Sequence, residues 1–161
     1  MQRSIQLLKR HRDQWFKGNE DVKPISIIIT TLAARAYNGE QDVESALTSI
    51  LLQMGDIVNS NKPRVPNPVD PQEDFADRWA MPQYKHMQLE GNFFLWLQAA
   101  KADFANLISS DDTSFIAENA VEKFAIKLAE SDLRTKLGIT AAISSIPISH
   151  VIQNSSKPWS D

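Results

Sequence analysis

The segment from residue 3 to residue 17 concentrates positive charge. It holds five cationic side chains against the single acid Asp13, a local charge of +4 before His11 is counted: Arg3, Lys9, Arg10, Arg12 and Lys17. A compact basic face of this kind suits a phosphate group better than a long nucleic-acid duplex. The whole chain has a formal net charge of −3, so we expect no strong nucleic-acid binding.

Residue patterns typical of metal centres and of catalysis are missing. The three histidines, His11, His86 and His150, lie far apart, and none has a second ligand at helical spacing. We interpret all three as solvated or capped surface histidines. Asp111 and Asp112 precede an apolar helical pattern, which favours helix caps over catalytic carboxylates. Because phosphate-binding glycine loops and nucleophile elbows are also absent, the chain alone does not look like a complete enzyme.

Composition is that of an ordinary soluble domain. The chain has 161 residues, 42% of them hydrophobic, which is enough for one domain with a buried core. It has no cysteine, which excludes disulfides and thiolate metal sites and fits a reducing cytosol. No apolar stretch approaches the roughly 18 residues that cross a bilayer, and the N-terminus has no secretory pattern. We therefore expect no membrane association.

The distribution of glycine and proline favours helices over strands. Only five glycines occur, and five of the eight prolines lie between Pro63 and Pro82. A domain of many tight β-turns would need more glycine, spread more evenly. We predict an all-α bundle of about five to seven helices with one long proline-rich connection. Residues 1–138 would form a single helical lobe, and residues 139–161 an irregular, partly frayed tail.

Two helices are predicted before residue 40. Residues 2–17 carry an apolar stripe that includes one arginine: Ile5, Leu8, Arg12 and Trp15. Residues 25–32 are rich in β-branched side chains and would also fit a buried strand. The alanines that follow, Pro24 before the segment and Asn38-Gly39 after it favour a buried helix ending near Tyr37.

Further helices are predicted on both sides of the proline-rich connection. Residues 73–79 form a short helical turn pinned by Phe75 and Trp79. Residues 41–59 form a helix, because apolar residues recur at alternating intervals of four and three: Val43, Leu47, Ile50, Met54 and Ile57. A long helix should cover residues 84–109, with an inner face of Phe93, Leu97, Ala100, Phe104 and Leu107. A last helical region should end near Gly138, with a core stripe of Val121, Phe124, Ala125 and Leu128.

Three segments together carry a family resemblance. They are Leu-Leu-Lys-Arg-His-Arg-Asp at residues 7–13, the stretch from Lys23 to Tyr37, and the proline-rich stretch from Pro66 to Trp79. In this combination residues 2–107 resemble the C-terminal helical lobe of bacterial nucleotidyltransferases related to cyclic GMP–AMP synthase and 2′-5′-oligoadenylate synthase (CD-NTase-like enzymes). The resemblance implies a lobe that closes a nucleotide cleft opposite an α/β catalytic lobe.

The catalytic features of that family are not in this sequence. None of the five glycines is followed by serine, and no acid-x-acid pair follows such a turn. We therefore expect the catalytic lobe to lie upstream of Met1, which would then not be the natural start, and we expect this chain alone not to polymerise nucleotides. The resemblance implies a transferase that uses nucleoside triphosphates and Mg²⁺ in cytoplasmic antiviral signalling, with no catalytic or metal-binding residue in this lobe.

The resemblance also implies a binding site. Lys9 matches a lysine that touches the triphosphate, and Ser26 matches a serine that contacts the phosphates. Arg10 and Arg12 would extend this phosphate-binding set. Ile27 occupies a base-pocket position where some relatives have an aromatic ring, so base stacking is not expected there.

An interaction module is the alternative interpretation. In it, the segment from Pro63 to Pro71 and Trp79 would form a groove for a partner, and an exposed apolar face would produce a homodimer. We interpret Tyr37 and Trp79 as core or loop anchors rather than base platforms, and Arg35 as an exposed helix arginine.

Overall fold

The computed structural model describes residues 1–124. This part of the chain folds into five α-helices and three short 3-10 helices, and its only strand-like pairing is the isolated bridge between Pro66 and Asp74. The all-α prediction is therefore confirmed. The α-helices are α1 (Gln2–Trp15), α2 (Ser26–Ala36), α3 (Val43–Ser60), α4 (Leu89–Ser109) and α5 (Thr113–Phe124). None of these helices combines the length and apolarity needed to cross a membrane.

Helix α1 buries most of the predicted stripe. Ile5, Leu8 and Arg12 are buried, as predicted, and the buried face also includes Ser4 and His11. Trp15 was placed on this stripe by its spacing, which was wrong, because its side chain is 48% exposed. The helix also ends two residues earlier than predicted, and the chain then turns through a glycine with a positive φ at residue 18.

Helix α2 resolves the choice between strand and helix. Ile28, Ile29, Leu32 and Ala33 are all buried, and their spacing of one, three and one residues places them on one helical face. This face packs mainly on α3. The β-branched residues therefore lie in a buried helix, as predicted, because tertiary packing outweighs their modest helix propensity.

Helix α3 matches its predicted pattern closely. Leu47, Ile50 and Met54 are buried, and the Asp42 carboxylate caps the helix by accepting a hydrogen bond from the Ser45 backbone N–H at 2.7 Å. Near the C-terminal end Val58 is fully buried, whereas the predicted Ile57 is only partly buried.

The proline-rich connection is organised by one carboxylate. Asp74 accepts hydrogen bonds from the backbone N–H groups of Arg64, Val65 and Ala76, each at 2.9 Å. These bonds draw the two ends of the connection together and hold Val65 in the core. The predicted short helical turn is present as the 3-10 helix Asp77–Trp79, and Trp79 packs on Phe93 with ring centroids 5.2 Å apart.

Helix α4 begins later than predicted. The sequence suggested a continuous helix from Tyr84, but residues 82–87 form a separate 3-10 helix. Gln88 then adopts a left-handed conformation with φ of 49°, which interrupts regular helical hydrogen bonding before Leu89. The predicted inner face is buried along its whole length, and Trp96 is a fully buried addition to it.

Helix α5 is capped as predicted and buries part of its predicted stripe. The Asp112 carboxylate accepts hydrogen bonds from the backbone N–H groups of Ser114 and Phe115 at 2.9 and 3.3 Å. Phe124 is buried, as predicted, together with Ile116 and Ala120, whereas Val121, also predicted for the core, is 47% exposed. The remaining predictions for this region, at Ala125, Leu128 and Gly138 and for the tail at residues 139–161, lie outside the described residues.

Ser4 gives a stability prediction. In the part of the chain that the structure describes, it carries the only buried side-chain polar atom without a hydrogen-bond partner. We expect Ser4→Ala to raise the free energy of unfolding by about 0.5–1 kcal/mol, because it removes an unsatisfied hydroxyl and improves helix propensity. Urea unfolding measures this change. Ser45→Ala is the control, since the exposed Ser45 hydroxyl is hydrogen-bonded to Asp42 and its loss should give no gain. A clear loss of stability in Ser4→Ala would contradict the prediction.

Candidate functional site

A cavity of about 660 Å³ opens beside the start of α2. One wall comes from the end of α1 and residues 20–28, and the other from residues 75–89. The walls combine cations and apolar surface: Arg12, Lys23 and Arg78 line the cavity with Ile25, Trp79 and Met87. Glu20 and Asp21 also line it, so cationic groups exceed acidic groups by one in this lining.

Arg12 connects α1 to the first turn of α2. Its guanidinium donates from Nη1 to the Pro24 carbonyl oxygen and to Ser26 Oγ, both at 3.0 Å. It also donates from Nε and Nη2 to Asp13 Oδ1, at 3.1 and 2.8 Å. The Arg12 side chain is buried, and these partners satisfy most of its donors. Arg12 therefore positions the residues at the cavity edge.

Asp13 supplies the negative charge of this network. Lys23 Nζ donates to the same Oδ1 atom at 3.1 Å, so one carboxylate oxygen accepts from two cationic side chains. Partial burial acts to raise the pKa of the Asp13 carboxyl, but hydrogen bonds from Arg12 and Lys23 outweigh it and hold this pKa below its ordinary value. Asp13 is thus ionised at neutral pH.

Ser26 lies where backbone donors are available. It is the first residue of α2, and no side chain caps this helix. The first N–H groups of a helix have no partner within it and carry the positive end of the helix dipole, which together favour an anion. Because Ser26 Oγ accepts from Arg12, its own O–H proton is left to donate.

The other predicted site residues lie outside the cavity lining. Lys9 is half-buried, one helical turn before Arg12, and has no ion pair within residues 1–124. Arg10 is exposed, and Ile27 is 42% exposed, whereas its neighbours Ile25 and Ile28 line the cavity. The structure thus brings Arg12 and Ser26 together and leaves Lys9, Arg10 and Ile27 at the margin.

The second wall is built around aromatic rings. The Arg78 guanidinium lies over the Tyr84 ring, 4.1 Å from its centroid, a cation–π arrangement that orients the arginine. Trp79 lines the cavity and also packs inward, as expected for a loop anchor. Tyr37 is likewise an anchor, since its hydroxyl donates to the Glu40 carbonyl oxygen at 2.8 Å. Arg35 is exposed, as predicted, and donates to the Pro66 carbonyl oxygen at 3.3 Å.

A second polar cluster surrounds His11, and the sequence does not indicate it. His11, interpreted there as a surface histidine, is 1% exposed. Its Nε2 is 2.9 Å from Asp103 Oδ2, and its Nδ1 accepts from Trp96 Nε1 at 3.0 Å. Four rings surround the imidazole, three of them buried and the first exposed: Trp15, Trp96, Phe104 and Phe124. The partners of His11 come from residues about 90 positions away, so no local spacing indicated them. His86, in contrast, is exposed as predicted, and His150 lies outside the described residues.

The described residues do not offer a metal centre. Within residues 1–124, no group of three histidine, aspartate or glutamate side chains is arranged to hold an ion. The donor set of the cavity is instead cationic and hydroxylic, which suits an anion.

Comparison with known proteins relates part of the chain to nucleotide chemistry. No protein-family model matches the chain. A curated protein of Roseivirga ehrenbergii named c-di-GMP synthase is 38% identical over 92 residues, which cover 53% of this chain. The match spans only 24% of that relative's length. Over about half its length, therefore, this chain is related to a cyclic-nucleotide synthase.

Proposed function

We propose that this chain is the nucleotide-binding helical lobe of a nucleotidyltransferase that makes cyclic or linear oligonucleotide second messengers from nucleoside triphosphates. The observation that carries this proposal is the 38% identity to a c-di-GMP synthase. The all-α fold and the cavity beside Ser26, lined by three cations and by apolar side chains, agree with such a role, because a lobe of this kind needs donors for phosphate and apolar surface for a base.

In this proposal the phosphates of the nucleotide occupy the edge of the cavity at the start of α2. The backbone N–H groups of Ser26 and Ile27 and the Ser26 hydroxyl donate to the phosphate oxygens. Arg12 holds that hydroxyl in place, and Lys9 and Arg10 contribute positive charge from the adjoining turn of α1. Ile25 and Ile27, both more than 40% exposed, provide apolar contact near the base.

The chemical step belongs to another lobe. Mg²⁺ would be held by carboxylates of a catalytic lobe, since the described residues of this chain have no cluster that fits it. Such a lobe would also cover the exposed side chains of Ile25 and Ile27. We place the complete enzyme in bacterial antiviral signalling in the cytoplasm, in keeping with the family resemblance.

The alternative is a homodimer in which a second copy covers the same apolar side chains. Size-exclusion chromatography with light scattering distinguishes the two interpretations. A monomer that binds nucleotide supports the lobe, whereas a stable dimer without nucleotide affinity supports the interaction module.

The phosphate contacts give a direct test. In the complete enzyme we expect Lys9→Ala to weaken triphosphate binding by about 1–3 kcal/mol, and Ser26→Ala by about 1 kcal/mol, the ranges for charged and neutral hydrogen bonds. Calorimetric titration with GTP and ATP at matched salt measures both, because salt screens exposed charges. Lys62→Ala, at an exposed lysine outside the cavity lining, is the control. The assignment fails if Lys9→Ala, Arg10→Ala and Arg12→Ala all bind like the parent.

A further inference from the structure

Lys23 is a cavity residue that the sequence did not single out. It follows the 3-10 helix Glu20–Val22, and its side chain is 30% exposed. Its backbone is extended, with φ of −74° and ψ of 146°, a conformation favoured by the proline that follows. Lys23 lines the cavity together with Arg12 and Ser26, and its ammonium reaches the same carboxylate oxygen as the Arg12 guanidinium.

The two cations differ in the donors they have left. Arg12 has five N–H donors, and four hydrogen bonds to Pro24, Ser26 and Asp13 occupy all but one. Lys23 has three donors on a freely rotating ammonium and uses one of them, on Asp13. Arg12 is also buried, whereas Lys23 is partly open to the cavity. Lys23 is therefore the better placed of the two to bind an incoming anion.

We propose, resting on the function proposed above, that Lys23 is the phosphate-binding cation of this cavity and that Arg12 is a positioning residue. The ligand class is a polyphosphate chain, free or carried by a nucleoside. In the bound state the Lys23 ammonium donates to phosphate oxygens beside the Ser26 hydroxyl. Arg12 keeps Ser26 and the first turn of α2 in place and does not exchange its partners.

Asp13 allows the Lys23 ammonium to exchange the carboxylate for a phosphate at little cost in free energy. If Lys23 turns from the carboxylate to a phosphate, Asp13 keeps both hydrogen bonds from Arg12 and remains paired. The carboxylate is about half exposed, so water replaces the departing ammonium. In the absence of ligand, Asp13 holds Lys23 at the cavity edge and limits the side-chain freedom lost on binding.

The experiment is a calorimetric titration of the 161-residue chain with GTP, ATP and inorganic tripolyphosphate at matched low salt. We expect Lys23→Gln to weaken binding of all three probes at least tenfold and Lys23→Arg to restore most of the affinity. Lys17→Gln is the matched control, an exposed lysine outside the cavity lining, and should bind within twofold of the parent. The melting temperature of Lys23→Gln should stay near that of the parent, because exposed ion pairs contribute little to stability.

The results of this titration distinguish a failure of the role of Lys23 from a failure of the proposed function. Binding by the parent that Lys23→Gln leaves unchanged would overturn the role of Lys23 and leave the proposed function standing. Equal losses in Lys23→Gln and Lys17→Gln would mean that general charge attraction, and not a specific contact, binds the phosphates, which also overturns the inference. A parent chain that binds none of the three probes would overturn the proposed function and this inference together.

Discussion

Replacing Trp96 with alanine is expected to lower the free energy of unfolding by about 3–5 kcal/mol, the usual cost of removing a large buried aromatic side chain. Trp96 is fully buried on the inner face of α4 and packs against Phe93, with ring centroids 6.0 Å apart. It also donates the hydrogen bond that His11 Nδ1 accepts. The alanine variant therefore leaves a cavity and an unpaired buried nitrogen at once.

Urea unfolding followed by far-ultraviolet circular dichroism measures this loss. Leu95→Ala is the matched control, because the neighbouring leucine on the same helix is 59% exposed and should change stability by only about 0.5 kcal/mol. Trp96→Phe should fall between the two, since it keeps most of the ring volume but not the N–H donor. A loss below about 1 kcal/mol in Trp96→Ala would mean that α4 does not pack on the core as described.

Acidification is expected to destabilise the fold through His11. Because Nδ1 accepts from Trp96, the neutral imidazole carries its proton on Nε2 and donates it to Asp103. Burial lowers the pKa of His11 below its ordinary value of 6.5. The Asp103 carboxylate acts to raise this pKa, but the effect of burial is larger. Lys123 on α5 adds a smaller lowering effect. In the folded state His11 is therefore neutral at neutral pH.

Acid lowers the stability of the fold because the unfolded chain binds a proton at His11 more readily than the folded chain does. Below pH 6.5 the unfolded chain takes up a proton at this histidine, while the folded chain resists it until the pH reaches the lowered pKa. His11 therefore contributes fully to stability above pH 6.5. As the pH falls from 6.5 to the lowered pKa of the folded state, this contribution declines by up to about 1.4 kcal/mol per pH unit. Urea unfolding at a series of pH values from neutral to mildly acidic measures the slope.

Two histidine variants separate this contribution from other titrating groups. His11→Gln should remove the pH-dependent component that belongs to residue 11, at the cost of lower stability throughout. His86→Gln, at an exposed histidine, should keep the slope of the parent. If His11→Gln and the parent show the same slope in this window, the buried imidazole is not the titrating group.

The helices were predictable because their main signal is local. Apolar spacing alone placed the inner face of α4 and most of the buried face of α3, and helix-start and stop residues decided α2 against a strand. The failures have a common physical origin. Trp15 and His11 lie one turn apart on α1, and local hydropathy favours the tryptophan for the core. The histidine is buried instead because Trp96 and Asp103 satisfy its two ring nitrogens.

The candidate site was only partly predictable for the same reason. The basic character of α1 and the start of α2 beside Ser26 were visible in the sequence, and the structure joins them through Arg12. The sequence does not show which cations keep free donors, because this depends on contacts such as those of Asp13. Lys23 looks like an ordinary loop lysine until its ammonium is seen at the cavity edge.

The bond between His11 and Asp103 joins residues 92 positions apart. At translation rates of about 5–20 residues per second, a ribosome needs roughly 5–18 s to add the chain between them. During that interval the complete α4 that supplies the partners of His11 has not been made, whereas α2 and α3 are finished before it ends and can already pair. A nascent chain of this protein thus leaves His11 without its partners for several seconds, and a chaperone that binds helical faces during synthesis would find its first target there.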